Sequence, residues 1–174
     1  MTKHETFAKS NLFPKANGSL TFKGDWRWAW MGFTVHGGPF PNYVKGEDTF
    51  GLNLRAEKSH PCDAYLPITD FSVPTQTKEQ VSATIALVLR NALSGKHVYV
   101  GCMGGWGRTG IALSIIAKVM GEADPVAYVR KHYSHRAVET EEQQAYVRDF
   151  DVTAIRAELQ RFAWKRFIRS FWPF

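Results

Sequence analysis

Five residues separate Cys102 from Arg108, and three of the five are glycine, in the run Cys102-Met103-Gly104-Gly105-Trp106-Gly107-Arg108-Thr109. Glycines let a backbone curl until successive N–H groups point inward, which makes a nest for a tetrahedral anion. A guanidinium at the end of such a loop grips a phosphate through two parallel hydrogen bonds. A thiol at its start lies in a positive field, and such settings bring a cysteine pKa from about 8.5 to roughly 3.5–7.5. Together these groups imply transfer of a phosphoryl group to sulfur, with Cys102 as nucleophile, Arg108 as clamp and residues 103–107 as cradle.

Such a loop needs a rigid element on each side. Val98, Tyr99 and Val100 predict a buried strand before it, and Ile111, Leu113, Ile115, Ile116 and Val119 predict a helix buried on most sides after it. That helix brings the positive end of its dipole to the cradle. The competing reading is a glycine-rich strand-to-helix turn around an inert cysteine.

Residues 102–109 resemble the Cys-x5-Arg-Ser/Thr signature of the cysteine-dependent protein tyrosine and dual-specificity phosphatases. The Gly-Gly-x-Gly-Arg-Thr-Gly interior resembles the dual-specificity branch most. The resemblance covers roughly residues 60–150. It implies an α/β fold with a central mixed sheet flanked by helices, the Cys-x5-Arg loop lying between a buried strand and a helix. It gives Thr109 the role of stabilising the thiolate as it leaves the phosphocysteine, although Thr109 also suits a helix cap. Gly101 stands where the family carries His. Residues 137–143 resemble the family's glutamine segment, which places the hydrolytic water. Glu139 occupies the position of the water-placing Gln and Gln143 matches a second, while a Thr140–Gln143 capping box explains Gln143 without catalysis.

A phosphomonoester leaving group departs badly unless it is protonated, so the cysteine needs a carboxylic acid opposite it. Asp70 is the choice, with Asp63 as its competitor. Asp70 follows a short predicted strand and precedes a helix, and residues 67–70, Pro-Ile-Thr-Asp, resemble the Pro-Ile-x-Asp form of dual-specificity members.

The chain has 174 residues, of which 44% are hydrophobic and 22% charged, enough for one domain with a substantial core. Residues 1–19 read as a flexible lead-in, 20–151 as the catalytic domain and 152–174 as a basic aromatic helix or tail. Phe22, Trp26, Trp28 and Trp30 predict one strand over about 21–33. Residues 43–60 leave strand or loop open. Thr77 with Gln80 predicts the cap of a helix, as does Asp124 before Pro125. From Thr140 a long helix is expected to run towards Arg169.

Two cysteines, no apolar signal core at the start and no apolar run of about 20 residues together predict a cytoplasmic protein. Cys62 reads as a free cysteine, with a redox disulfide to Cys102 as the alternative. No ligand cluster has metal spacing, and no metal or cofactor is expected. Net charge is +6, and residues 152–174 hold Arg156, Arg161, Lys165, Arg166 and Arg169 against Glu158 alone. Phe162, Trp164, Phe167, Phe171, Trp172 and Phe174 are interleaved with them. Core packing is the first reading of this tail, an anionic membrane surface the second and nucleic acid the third.

Neither Met103 nor Trp106 is basic, which favours a phosphorylated protein, phosphotyrosine first, over a phospholipid or an RNA 5′-phosphate. Two readings outside phosphatase activity remain: a phosphoprotein-binding pseudophosphatase, and sulfur transfer of rhodanese type.

Overall fold

The structure, a computed structural model, describes residues 15–24 and 32–171. Five strands form one mixed sheet: β1 (Gly18–Phe22), β2 (Phe33–Pro39), β3 (Thr49–Arg55), β4 (Ala64–Ile68) and β5 (His97–Cys102). Their order is β1-β2-β5-β3-β4. β1 is antiparallel to β2, and β2, β5, β3 and β4 are parallel. The flanking helices are α1 (Lys78–Leu93), α2 (Gly107–Val119), α3 (Pro125–His132), α4 (Glu141–Asp149) and α5 (Thr153–Phe171). This is the α/β architecture, a central mixed sheet flanked by helices, that the resemblance implies.

The C-terminal ends of parallel strands share one edge of the sheet, and α/β proteins build their sites there. Cys102 ends the central strand β5. Glu57 lies just past the end of β3, and Asp70 just past the end of β4. The core beneath them is continuous, with Val98, Val100, Leu52, Leu54 and Ile68 of the sheet packed on Ile85, Leu89, Ile111 and Ile115 of the helices.

The predicted caps form. Thr77 and Gln80 make a reciprocal capping box at the start of α1, and Thr140 and Gln143 make another at α4. The Asp124 carboxylate accepts from the Ala127 N–H at α3. α2 is buried along nearly its whole length, and Lys118 at its end donates to the carbonyls of Val147 and Arg148.

Two expectations are corrected. Residues 21–33 are not one strand: Phe22 ends β1 and Phe33 begins β2, and the two face each other across an antiparallel pair. Trp26, Trp28 and Trp30 lie outside the described residues. The expected single helix towards Arg169 is two helices, because Phe150 turns to an extended conformation and Asp151 accepts from the N–H and hydroxyl of Thr153. α5 then packs Ile155, Leu159 and Ala163 into the core, and Arg156 caps the carbonyls of Lys118 and Val119. Phe162 lies under Arg90, but Trp164 and Phe167 stack on each other at the surface. Trp172 and Phe174 lie outside the described residues.

Candidate active site

Cys102 is only 3% exposed at the end of β5, and the Gly105 N–H donates to its Sγ at 3.3 Å. The cradle is built by holding its carbonyls outward. Gly104 O accepts from the Ala16 N–H (3.0 Å), Gly105 O from the Tyr133 hydroxyl (2.7 Å), and Trp106 O from the Gly110 N–H (2.7 Å). In a planar peptide the N–H points opposite to the C=O, so the N–H groups of Gly105, Trp106 and Gly107 turn the other way. Gly105 stands at φ +82°, and a Cβ there would fall 2.5 Å from Ala16 O. Burial pushes the Tyr133 phenol far above its ordinary range, which keeps its proton available to donate.

Gly101 is fixed by packing. A Cβ there would lie 2.8 Å from Gly38 O and 2.8 Å from the backbone N and Cα of Phe40. β2 presses directly on this residue, so no side chain fits where the resembling family carries His.

Arg108, 1% exposed, is held by its end. Nη1 donates to Glu57 Oε2 at 2.6 Å and to Ile68 O at 3.1 Å, and Nη2 donates to Glu57 Oε1 at 3.2 Å. Glu57 is in turn fixed by Arg55 Nε at 3.3 Å. Partial burial raises the Glu57 pKa, but the hydrogen bonds and charge of Arg108, a backbone hydrogen bond and Arg55 together outweigh it and hold the carboxyl at about 2. Nε of Arg108 is buried with no partner, and Asp70 Oδ1 lies 3.0 Å from Nη2. The side edge of the guanidinium, formed by Nε and Nη2, is therefore the edge that can take an oxyanion.

Asp70 is 57% exposed and stands on the same cradle as Arg108. Asp63, its competitor, immediately precedes β4, at the opposite end of that strand. It is committed there to the Tyr43 hydroxyl, the Gly51 N–H and Lys45. Phe71 beside Asp70 has φ +58°, a left-handed conformation unusual for a bulky residue. The segment is tethered: Gln143 Nε2 donates to Ser72 O at 3.1 Å, and Gln76 donates to Pro67 O at 3.0 Å. Gln143 Oε1 accepts from the Glu139 N–H at 2.9 Å, so both ends of its buried amide are occupied. Glu139 also reaches the loop, since a Cβ at Gly107 would fall 2.5 Å from its Oε2. Thr109 Oγ1 is buried without a hydrogen bond and does not cap α2. Both cysteines are free, Cys62 being half-buried.

Of the residues expected from sequence, the structure brings Cys102, Arg108 and Asp70 to one edge of the sheet; the contacts that Glu57, Arg55, Tyr133, Ala16 and Arg136 make around them were not foreseen. Glu57 had one available signal: an acidic residue just past a strand parallel to the one bearing the cysteine. That signal depended on recognising β3, whose buried Asn53 and Arg55 break the apolar pattern. Arg136, whose guanidinium lies 4.1 Å over the Trp106 ring, gave no local signal.

Residues 54–163 match the PTP-SAK family model, described as Swiss Army Knife protein, DSP-PTPase phosphatase domain. Two uncharacterized proteins of Methanocaldococcus jannaschii, MJECL20 and MJ0215, are 40% and 38% identical over 86 residues, 49% of this chain. The matched region covers 57% and 53% of those relatives, so the chain spans a little over half their length. Among solved structures, Tk-PTP in its active form superposes with a TM-score of 0.50 and 26% identity, over 59% of this chain and 77% of that one. A mutant form of Tk-PTP gives 0.51 and 22%, over 63% and 79%, and supports the likeness of fold.

Proposed function

This chain belongs to the PTP-SAK family of DSP-PTPase phosphatase domains, and from that premise we propose that it hydrolyses phosphomonoesters through a phosphocysteine on Cys102, without a metal. The carrying observation is the buried, unpartnered Nε of Arg108 on the same cradle as the Cys102 thiol. A buried donor left unpaired is costly, and an oxyanion on the Nε–Nη2 edge pairs it.

In the proposed reaction Cys102 Sγ attacks phosphorus as a thiolate. The P–S bond forms while the bond to the leaving oxygen breaks. Arg108 and the N–H groups of Gly105, Trp106 and Gly107 hold the equatorial oxygens, where charge is greatest in the transition state. Asp70 gives its proton to the leaving oxygen. It then takes a proton from water, whose oxygen attacks phosphorus and releases the Cys102 thiolate and inorganic phosphate. Thr109, with its buried free hydroxyl, is assigned to stabilise that thiolate. Phosphate entering the cradle displaces Asp70 from Nη2, which places the acid beside the leaving group. Gln143 is assigned to hold the acid segment, and Glu139 is the remaining candidate for placing water.

The substrate class that this reading favours is a phosphorylated protein, phosphotyrosine first, because Met103 and Trp106 bring no charge into the cradle. A cytoplasmic location belongs to the same reading. No helix among the described residues is long and apolar enough to cross a membrane. Contact of α5 with an anionic membrane is supported by exposed Trp164 and Ile168 beside Arg161, Lys165 and Arg169.

The test is hydrolysis of a small aryl phosphate in chelator from pH 5 to 8, comparing wild type, Cys102→Ser and Asp70→Ala. Wild type should turn over, Cys102→Ser should be inactive, and Asp70→Ala should lose about 10²–10⁴-fold in kcat. An inert wild type that still binds vanadate refutes turnover and leaves a phosphate-binding protein.

A further inference from the structure

We propose that His60 is a positioning residue for the phosphate clamp: it fixes the orientation of Arg108 by engaging the Arg55 guanidinium, which otherwise competes with Arg108 for Glu57. This rests on the phosphatase reading above and deepens it.

Three charged side chains and one imidazole form a continuous row. Glu57 Oε1 lies 3.2 Å from Nη2 of Arg108 and 3.3 Å from Nε of Arg55, so two guanidinium groups share one carboxylate oxygen. Nη1 of Arg55 lies 3.0 Å from Nε2 of His60. The Arg55 side chain is 4% exposed, and among the described residues its guanidinium meets Glu57 and His60. A guanidinium carries N–H donors and no acceptor. Nε2 of His60 therefore accepts, which makes the ring neutral in this arrangement with its one N–H on Nδ1. The row has a direction. Arg55 donates to His60 on one side and to Glu57 on the other, and Arg108 donates to Glu57 as well.

The backbone at Arg55 is fixed independently of this row. Asn53 Oδ1 accepts from the Arg55 N–H at 3.0 Å, and the Tyr65 hydroxyl donates to Arg55 O at 2.9 Å. His60 is half-buried, with the Phe40 ring 6.4 Å from its own, centroid to centroid. What remains adjustable is the guanidinium of Arg55. Without an acceptor at residue 60, its Nη1 becomes a buried donor with no partner, which is costly. Glu57 is the acceptor already within its reach, and a second N–H from Arg55 on Oε1 displaces Nη2 of Arg108. Arg108 then turns about the bonds of its Nη1 to Glu57 Oε2 and Ile68 O, and its Nε–Nη2 edge leaves the cradle. His60 touches neither phosphate nor cysteine in this scheme and acts through Arg55 and Glu57.

Sulfate is the probe, because it is a tetrahedral dianion and its binding needs no turnover. Titration calorimetry compares wild type, His60→Gln and His60→Leu. Gln offers Arg55 an acceptor, and Leu offers apolar volume without one. His60→Gln should match wild type within about twofold, and His60→Leu should bind sulfate roughly fivefold more weakly, the scale of one hydrogen bond. A residue that merely packs on Phe40 gives the opposite order, because Leu is the better filler there. Wild type alone supplies a second readout that depends on no variant folding. At about pH 8 the imidazole nitrogen NMR signals of His60 should show a proton on Nδ1 and none on Nε2. Sulfate held equally by all three proteins, His60→Gln binding no better than His60→Leu, or a proton on Nε2 overturns the role. No sulfate binding by wild type removes the clamp and this role together. The expected order of sulfate affinities in a protein inert towards aryl phosphate supports the role of His60 and removes only the hydrolytic reading.

Discussion

Arg108 and Glu57 meet end to end, with both Nη atoms of the guanidinium on the two carboxylate oxygens at 2.6 and 3.2 Å. The pair holds the arginine by one edge and leaves the other edge free. Replacing Glu57 by Gln keeps the volume and removes the charge. The guanidinium then loses its fixed orientation, and a misplacement of about 1 Å at a reacting centre costs up to about 10²-fold. The fall should appear in kcat/KM for an aryl phosphate, with the fold retained by circular dichroism.

The same pair makes a prediction about acid. The Glu57 carboxyl is held at about 2 against an ordinary 4.5, so folding is stabilised by its ionised form. That contribution is complete above about 4.5 and is lost as pH falls through about 2. Urea unfolding of wild type and Glu57→Gln should therefore differ most at neutral pH and converge towards pH 2. A difference that grows on acidification contradicts the assignment.

Gly101 predicts a steric penalty. Gly101→Ala should destabilise the protein by about 1–3 kcal/mol, as overpacking against a fixed backbone does. Gly101→His should be worse and should not raise activity. Thermal unfolding checks both variants.

Tyr133→Phe removes the donor that holds Gly105 O outward. One hydrogen bond of this kind is worth about 1 kcal/mol, so binding of inorganic phosphate should weaken about fivefold. Inhibition constants for phosphate in the aryl phosphate assay report it, and an unchanged constant means the loop holds its shape without Tyr133.

Gln143→Ala breaks the link between the acid segment and the start of α4 and leaves Ser72 O and the Glu139 N–H without this partner. Stability should fall by about 1–3 kcal/mol. kcat should fall more than KM changes, because the acid and not the cradle is released. A variant with raised KM and intact kcat would place Gln143 in substrate binding instead.

The proposed site was legible in the sequence where its residues are local. Cys102, the glycines and Arg108 lie in one continuous run, and Asp70 sits on a loop whose flanking strand and helix cap are both written in residues 64–80. What stayed hidden is what the sheet brings together. Glu57 reaches Arg108 only because β3 lies beside β5, and β3 itself is disguised by Gly51, Asn53 and Arg55. The break at residues 150–152 was missed although its signal is local: Asp151, Val152 and Thr153 are weak helix formers, and Asp151 accepts from the Thr153 N–H ahead of α5. The division into β1 and β2 was missed because the alternating aromatics suit one long strand as well as two short ones.

The hydrogen bond from Ala16 to Gly104 bears on how far the chain can be trimmed. A fragment cut to residues 54–163, the span of the family match, retains Cys102, Arg108, Glu57 and Asp70. It loses Ala16, which ties the Gly104 carbonyl, and the β2 backbone that presses on Gly101. The proposed site residues and the frame that shapes the loop are thus encoded in separate stretches of the chain. Shortening from the N-terminal side dismantles the frame before it removes a single proposed site residue, and a tag joined close to Ala16 is a tag attached to the back wall of the loop.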